Sequence, residues 1–263
     1  MGSPLQRDEP QAPLPKLSIL VPYRNRPDHL REFLPHMVTY FSRDKLDKFI
    51  PYNITVIEQA NDGRPFNRGM MLNVGILLNP DADYYCFHDV DYLPIWADYR
   101  YADSPTRIIW YGADVRPQSP GSSQMIPERY DLYFSGAILM NRADALKTNG
   151  YPNDYWGWGW EDNELRARCM AENLEIKYRD GTFRALPHVA EGFTPDLKPT
   201  PASTRNQALL KVRAAEFEAG KAPHRQNGIT TARFKIIERR HAKDPGGREL
   251  QNVEKVTVEI GEP

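Results

Sequence analysis

The chain has 263 residues, 40% hydrophobic and 11% aromatic, enough to build a sizeable core and too apolar for wholesale disorder. The 34 Lys and Arg against 35 Asp and Glu leave a formal net charge of -1, which excludes a general attraction to nucleic acid or an anionic membrane. No apolar stretch is long enough to span a bilayer, and residues 1–16 are polar and Pro-rich without the apolar run of a signal peptide. The expectation is therefore a soluble, cytoplasmic protein without membrane insertion. Residues 1–16 form a flexible lead, and 17–263 a single domain. Cys86 in an apolar run and Cys169 in a helical pattern read as two buried free thiols in preference to a disulfide.

In chain order, residues 17–21 are an apolar run suited to a buried parallel strand, ended by Pro22 and a polar loop carrying Arg24 and Arg26. Asp28 is placed to cap a helix whose apolar positions are Leu30, Phe33, Leu34 and Met37. A second strand over 54–59 leads through Asn61-Asp62-Gly63 into another helical pattern with Met70, Met71, Val74, Ile76 and Leu77. A third strand, 84–88, runs straight into Asp89-Val90-Asp91. This threefold alternation predicts an α/β fold with a mostly parallel, Rossmann-like sheet. Ligands of such sheets bind at the carboxyl ends of the strands, so the loops after Val21, Gln59 and His88 are expected to meet at one crevice.

The second half is less regular. Strands are expected over 107–112, 135–140, 230–238 and 253–260, and a short helix over 142–149 closed by Gly150. A helix over 161–174 would turn Leu165, Cys169 and Leu174 inward and leave Glu164, Arg166 and Arg168 in solvent, and 205–219 reads as a surface helix.

Three constellations carry chemistry. Asp89 and Asp91 at a strand end suit a hard divalent cation bridging diphosphate oxygens, although two aspartates there also serve as plain turn formers. Trp156, Trp158 and Trp160, spaced by Gly157 and Gly159, make poor core, whereas an indole face stacks well on a pyranose. Glu161 and Asp162 follow at a helix start, where the dipole favours their ionised form and a carboxylate can take a proton from an attacking hydroxyl. The blander alternative is a Trp-rich turn with acidic caps. Arg24, Arg26 and Arg68 suit bidentate recognition of a diphosphate, or are simply solvated.

These residues stand in an order that resembles the β-1,4-galactosyltransferase family, including its xylosylprotein branch. The resemblance rests on Val21-Pro22-Tyr23-Arg24-Asn25-Arg26, Phe66-Asn67-Arg68, Leu72-Asn73-Val74-Gly75 and His88-Asp89-Val90-Asp91-Tyr92-Leu93-Pro94. It continues in Tyr133-Phe134-Ser135-Gly136, Asn149-Gly150-Tyr151-Pro152-Asn153, Tyr155-Trp156-Gly157-Trp158-Gly159 with Glu161-Asp162, Asn227-Gly228-Ile229 and residues 256–261.

The resemblance implies a GT-A type fold, a Mn²⁺ ion, and transfer of galactose from UDP-galactose to an acceptor sugar with inversion. Residues 17–94 would form the nucleotide-binding part and 95–263 the acceptor-binding and closing part. By position, Asp91 and His188 correspond to metal ligands, Asp162 to the catalytic base with Glu161 beside it, and Trp158 to a mobile loop over the donor. Pro22, Arg24, Arg26, Phe66, Arg68, Asp89, Val90, Tyr133 and Gly136 fall on nucleotide-sugar positions, with Tyr133 favouring galactose over N-acetylgalactosamine. Asp162, Asn163 and Trp160 fall on the acceptor side. The sequence departs from the family at three places. Ala185 and Pro187 cannot supply a further metal ligand, leaving Glu191 or water. Asn163 replaces an aspartate, and Trp160 stands where Gly or Arg is common. Another UDP-sugar as donor, or a non-catalytic carbohydrate-binding relative, are the alternatives, and the absence of an anchor suggests a bacterial-type member.

Overall fold

The computed structural model describes residues 12–43, 45–109, 134–187, 198–244 and 246–261. An eight-stranded sheet runs through the molecule. In chain order its strands are β1 (Leu17–Tyr23), β2 (Tyr52–Gln59), β3 (Tyr84–His88), β5 (Thr106–Arg107), β6 (Ala137–Asn141), β7 (Lys177–Tyr178), β9 (Phe234–Lys243) and β10 (Glu249–Ile260). A separate antiparallel pair joins β4 (Tyr92–Ala97) to β8 (Gly181–Ala185). The sheet order is β7-β5-β6-β3-β1-β2-β10-β9. Its centre, β3-β1-β2-β10, is parallel, and β6 and β9 run antiparallel to their inner neighbours.

Alternation in the central strands explains why both sheet faces are covered. Leu17, Ile19, Val21, Ile54, Val56, Tyr84 and Cys86 turn to a core containing Phe33, Met37 and Phe41 of α1 (Pro27–Arg43). Leu20, Ile57, Tyr85, Phe87, Val256 and Val258 turn the other way, onto Met70, Met71 and Val74 of α2 (Arg68–Leu78). Gly75 lets α2 approach closely, since a Cβ there would lie 2.9 Å from Ile57 and 3.0 Å from Leu20. Cys86 and Cys169 are both buried and unpaired, as expected.

Several local expectations change. The first helix begins at Pro27, so Asp28 lies inside its first turn and is not its cap. The strand expected over 107–112 is the short β5, and residues 110–112 lie outside the described set. Residues 229–231 form a 3-10 turn, and the strand begins only at Phe234. The short helix α3 (Arg142–Lys147) ends two residues earlier than expected, so the first left-handed residue after it is Asn149 at φ +56°, followed by Gly150 at φ +64°. In α4 (Glu161–Ala171), Glu164 and Arg168 are fully buried, against the expectation of solvent. The two side chains pair with each other: Arg168 donates to Glu164 Oε1 from Nε at 3.0 Å and Nη2 at 2.7 Å, and from Nη1 to the Gly150 carbonyl at 3.0 Å. The helix read as a surface element, α5 (Pro201–Glu218), buries Ser203 and Asn206.

Candidate active site

The loops that leave β1, β2 and β3 at their carboxyl ends touch one another. Arg24 Nη1 donates to the Arg64 carbonyl at 2.7 Å and its guanidinium sits 5.7 Å from the centre of the Phe66 ring. Arg26 Nη1 reaches Asp91 Oδ2 at 3.4 Å. Gln59, at the end of β2, donates to the Pro65 carbonyl at 3.1 Å and accepts from the Asn67 amide at 2.8 Å. Asn67 caps α2 by accepting from the Met70 amide at 2.9 Å. This cap orients the next residue, Arg68, across the crevice.

Arg68 is the hub. Its Nε donates to Asp89 Oδ1 at 2.8 Å, and its Nη1 to Asp162 Oδ1 at 2.6 Å, with Glu161 Oε1 at 3.5 Å. One guanidinium thus faces three carboxylates from two distant segments. Burial alone would lower the Arg68 pKa, but the charges of Asp162 and Asp89 outweigh it, so Arg68 is held charged well above its ordinary range. Burial pushes the Glu161 carboxyl up to about 8, reinforced by Asp162 and opposed by Arg68. The helix dipole was expected to keep Glu161 ionised; desolvation overrides it, because Glu161 is only 6% exposed. Burial likewise raises Asp89 to about 6, against the pull of Arg68.

The tryptophan loop is built from its backbone outward. Gly157 donates to the Phe66 carbonyl at 2.8 Å, and Asn206 of α5 points Nδ2 at the carbonyls of Trp156, Trp158 and Gly159 at 3.3, 3.4 and 3.1 Å. Arg64 lies 5.0 Å over the Trp156 ring, and Trp158 is 41% exposed. Upstream, buried amides fix the entry to the loop. Asn73 Nδ2 donates to the Tyr151 carbonyl at 2.7 Å and to Asn153 Oδ1 at 2.8 Å, and Asn67 Nδ2 donates to the Asn153 carbonyl at 2.7 Å. Asn153 Nδ2 in turn donates to the Gly228 carbonyl at 2.7 Å. Sequence reasoning gave these asparagines no role beyond their motifs, and it missed Gln59, Tyr151 and Asn206. The available signal was apolar surroundings: an amide in such a run is kept when it replaces ladder bonds for an irregular segment.

The remaining expected residues fall as follows. Pro22 is buried within β1 and Val90 is 4% exposed in the core, so their side chains face the interior. The Gly136 carbonyl accepts from the Asp89 amide at 2.9 Å, which anchors the turn into Asp91. Asn163 is exposed and Trp160 half-buried. Tyr133, His188 and Glu191 lie outside the described residues. Asp91 is 5% exposed, and the Leu186 amide donates to its carbonyl at 2.7 Å, so the chain leaving β8 toward residue 188 passes Asp91. Ala185 pairs with Tyr92 and supplies no ligand. Among the described residues no group of three or more His, Cys, Asp and Glu comes together for a metal. Asp91, a buried carboxylate, is nevertheless an oxygen donor of the kind that suits Mn²⁺.

The parallel sheet, with an acidic crevice beyond its third strand and a tryptophan loop across it, defines a GT-A type glycosyltransferase fold. Residues 7–102 match the N-terminal region of glycosyl transferase group 7, and residues 119–190 match the N-terminal domain of galactosyltransferase. Human β-1,4-galactosyltransferase 4 is 37% identical over 183 residues, 68% of this chain and 47% of the human protein. Drosophila melanogaster β-1,4-galactosyltransferase 7 is 30% identical over 197 residues, 71% of this chain and 57% of the fly protein. The crystal structure of the catalytic domain of the Drosophila protein with xylobiose superposes with TM-score 0.70 at 24% identity, covering 95% of this chain and 96% of that one. A mutant of it in complex with manganese, UDP-Gal and xylobiose gives TM-score 0.71, also at 24% identity. The chain belongs to the β-1,4-galactosyltransferase family. It spans about half the length of the curated relatives it matches. Among the described residues no helix is long and apolar enough to cross a membrane.

Proposed function

We propose that this chain transfers galactose from UDP-galactose to a hydroxyl of an acceptor sugar, converting an α-linked donor into a β-linked product. The observation that carries this reading is the Arg68 hub, which binds the acidic turn after β3 to the first turn of α4 across a single crevice. A diphosphate-side carboxylate and a candidate base therefore share one opening. The galactosyltransferase names of the relatives, and the manganese, UDP-Gal and xylobiose bound by the Drosophila protein, support the same donor, ion and class of acceptor.

In this reading Asp162 takes the proton of the acceptor hydroxyl. The acceptor oxygen forms its bond to the anomeric carbon as the bond to the diphosphate breaks, and the electron pair leaves on UDP. Arg68 orients Asp162, while Arg24, Arg26 and Phe66 line the nucleotide side. Trp158 with its loop excludes the water that would otherwise hydrolyse the donor. A divalent ion held by Asp91 and His188 would neutralise charge on the diphosphate as a Lewis acid. The nucleotide part is assigned to residues 17–94 and the acceptor part to 95–263 of one domain. Two buried, unpaired cysteines favour a cytoplasmic setting.

The test is UDP release from a panel of UDP-sugars with Mn²⁺, Mg²⁺ or EDTA, each with and without simple acceptor sugars. Release that needs Mn²⁺ and an acceptor and prefers UDP-galactose is the expected result. Release confined to another donor would reassign the sugar, and UDP binding without any release would point to a carbohydrate-binding relative.

A further inference from the structure

Arg64 stands between the nucleotide side of the crevice and the tryptophan loop, and both its side chain and its backbone are engaged. Its amide and Nε donate to the two oxygens of Asp62, at 3.0 and 2.7 Å, and its Nη2 donates to the Ile260 carbonyl at the end of β10. Anchored in this way, the guanidinium lies 5.0 Å from the centre of the Trp156 ring, a cation over an indole face. The carbonyl of the same residue accepts from Arg24 Nη1 at 2.7 Å, and Arg24 itself sits over Phe66. Phe66 closes the circuit, since its carbonyl accepts from the Gly157 amide at 2.8 Å. The loop is also seated sterically: a Cβ on Gly157 would lie 2.8 Å from Ala202 of α5 and 3.9 Å from Pro65. Arg24 and Phe66 fall on the nucleotide side, whereas Trp156 and Gly157 belong to the loop, and Arg64 touches both groups. Its side chain is 33% exposed. An arginine kept only for a solvated surface would not commit Nε, Nη2 and the guanidinium face to three separate segments.

We infer that Arg64 is a positioning residue: it passes the placement of Arg24 and Phe66 by the nucleotide to Trp156, and so sets the tryptophan loop where it keeps water from the donor. The inference rests on the sugar-transfer reading above and adds the side chain that links nucleotide to loop. A neutral side chain of similar length at position 64 should leave the nucleotide bound and let water compete with the acceptor.

The experiment measures how UDP-galactose turnover divides between transfer to an acceptor and hydrolysis by water. It compares wild type, Arg64→Met, Arg64→Lys, Trp156→Leu and the double variant Arg64→Met with Trp156→Leu. In Arg64→Met, hydrolysis relative to transfer rises about tenfold, while the Kd for UDP with Mn²⁺ stays within a factor of about three. A purely structural loss lowers both reactions alike, so the ratio does not depend on the folded fraction. Arg64→Lys keeps a cation over the ring and restores most of the ratio. Trp156→Leu shifts the ratio as Arg64→Met does, and the double variant shifts it no further. An unchanged ratio in Arg64→Met, or a double variant that multiplies the two single shifts, overturns the inference and leaves the transfer reading intact. If the wild type binds UDP and Mn²⁺ without turnover, the change in tryptophan fluorescence on binding is read instead. Its loss in Arg64→Met keeps the link and removes the transferase reading. A change absent from wild type or retained in Arg64→Met overturns both, and so does a chain that binds no nucleotide.

Discussion

Arg68 at the start of α2 and Asp162 in the first turn of α4 are 94 residues apart in sequence and 2.6 Å apart in space. Asp162 and Asp89 are bonded to different nitrogens of that guanidinium, so one side chain ties the base candidate to the turn carrying Asp91. Replacing Arg68 should therefore affect stability and both sides of the crevice together. At pH 7, where Glu161 keeps its proton, Arg68→Ala leaves Asp89 and Asp162 without their shared cation, and removing one partner of a buried ion pair costs about 3–5 kcal/mol. Urea denaturation at pH 7 should show a loss of that order, with weakened UDP binding. A loss below about 1 kcal/mol would mean that the cluster behaves as a solvated surface pair.

Asp162→Asn keeps the shape of the side chain and removes its capacity to take a proton. Transfer should fall by about 10²–10⁴-fold, with UDP affinity held within a factor of about three. Single-turnover transfer and UDP titration measure the two separately. Near-normal turnover would remove Asp162 from the role of base.

Glu161 sets a pH dependence whose sign follows from its raised pKa of about 8. The unfolded chain releases this proton near the ordinary carboxylate range, while the folded chain keeps it until about pH 8. Between those limits the folded state binds more protons, so this group's contribution to stability falls as pH rises and levels off above about 8. The groups facing it are Arg68, Asp162 and Asp89. Glu161→Gln should remove this slope and raise the melting temperature at pH 9 relative to wild type, by on the order of 5 °C. Differential scanning calorimetry from pH 5 to 9 tests it, and parallel slopes for the two proteins would show that Glu161 ionises normally.

The sequence made the three strands that aim loops at the crevice legible, because each is a compact apolar run followed by unusual polar residues. It also displayed Asp91, Asp162 and the tryptophan loop. What it hid depends on distance and burial. Arg68 reads as a diphosphate ligand because nothing in the chain shows that Asp89, Glu161 and Asp162 converge on it. The strand β4 shows no clean alternation, with Pro94 buried and Ile95 and Trp96 exposed, and its partner β8 lies more than 80 residues away. Asn206 looks like an ordinary polar residue on a surface helix until the loop carbonyls it serves are brought against it.

Glu164 and Arg168 give the sharpest case of a misleading helical pattern, since charged residues are almost never fully buried unless paired. Both side chains are completely inaccessible, and burial lowers the Arg168 pKa despite the opposing charge of Glu164. Glu164→Gln or Arg168→Met alone strands the other partner and should cost about 3–5 kcal/mol in urea denaturation. The double variant Glu164→Leu with Arg168→Met removes both charges and should regain most of that loss, since an apolar pair can replace a buried ion pair. Recovery stops short of complete because the Gly150 carbonyl loses its Arg168 donor. That carbonyl belongs to the turn entering Tyr151 and the tryptophan loop, so the double variant should fold well and still turn over more slowly than wild type. Strictly additive losses in the double variant would show that the two side chains do not depend on one another.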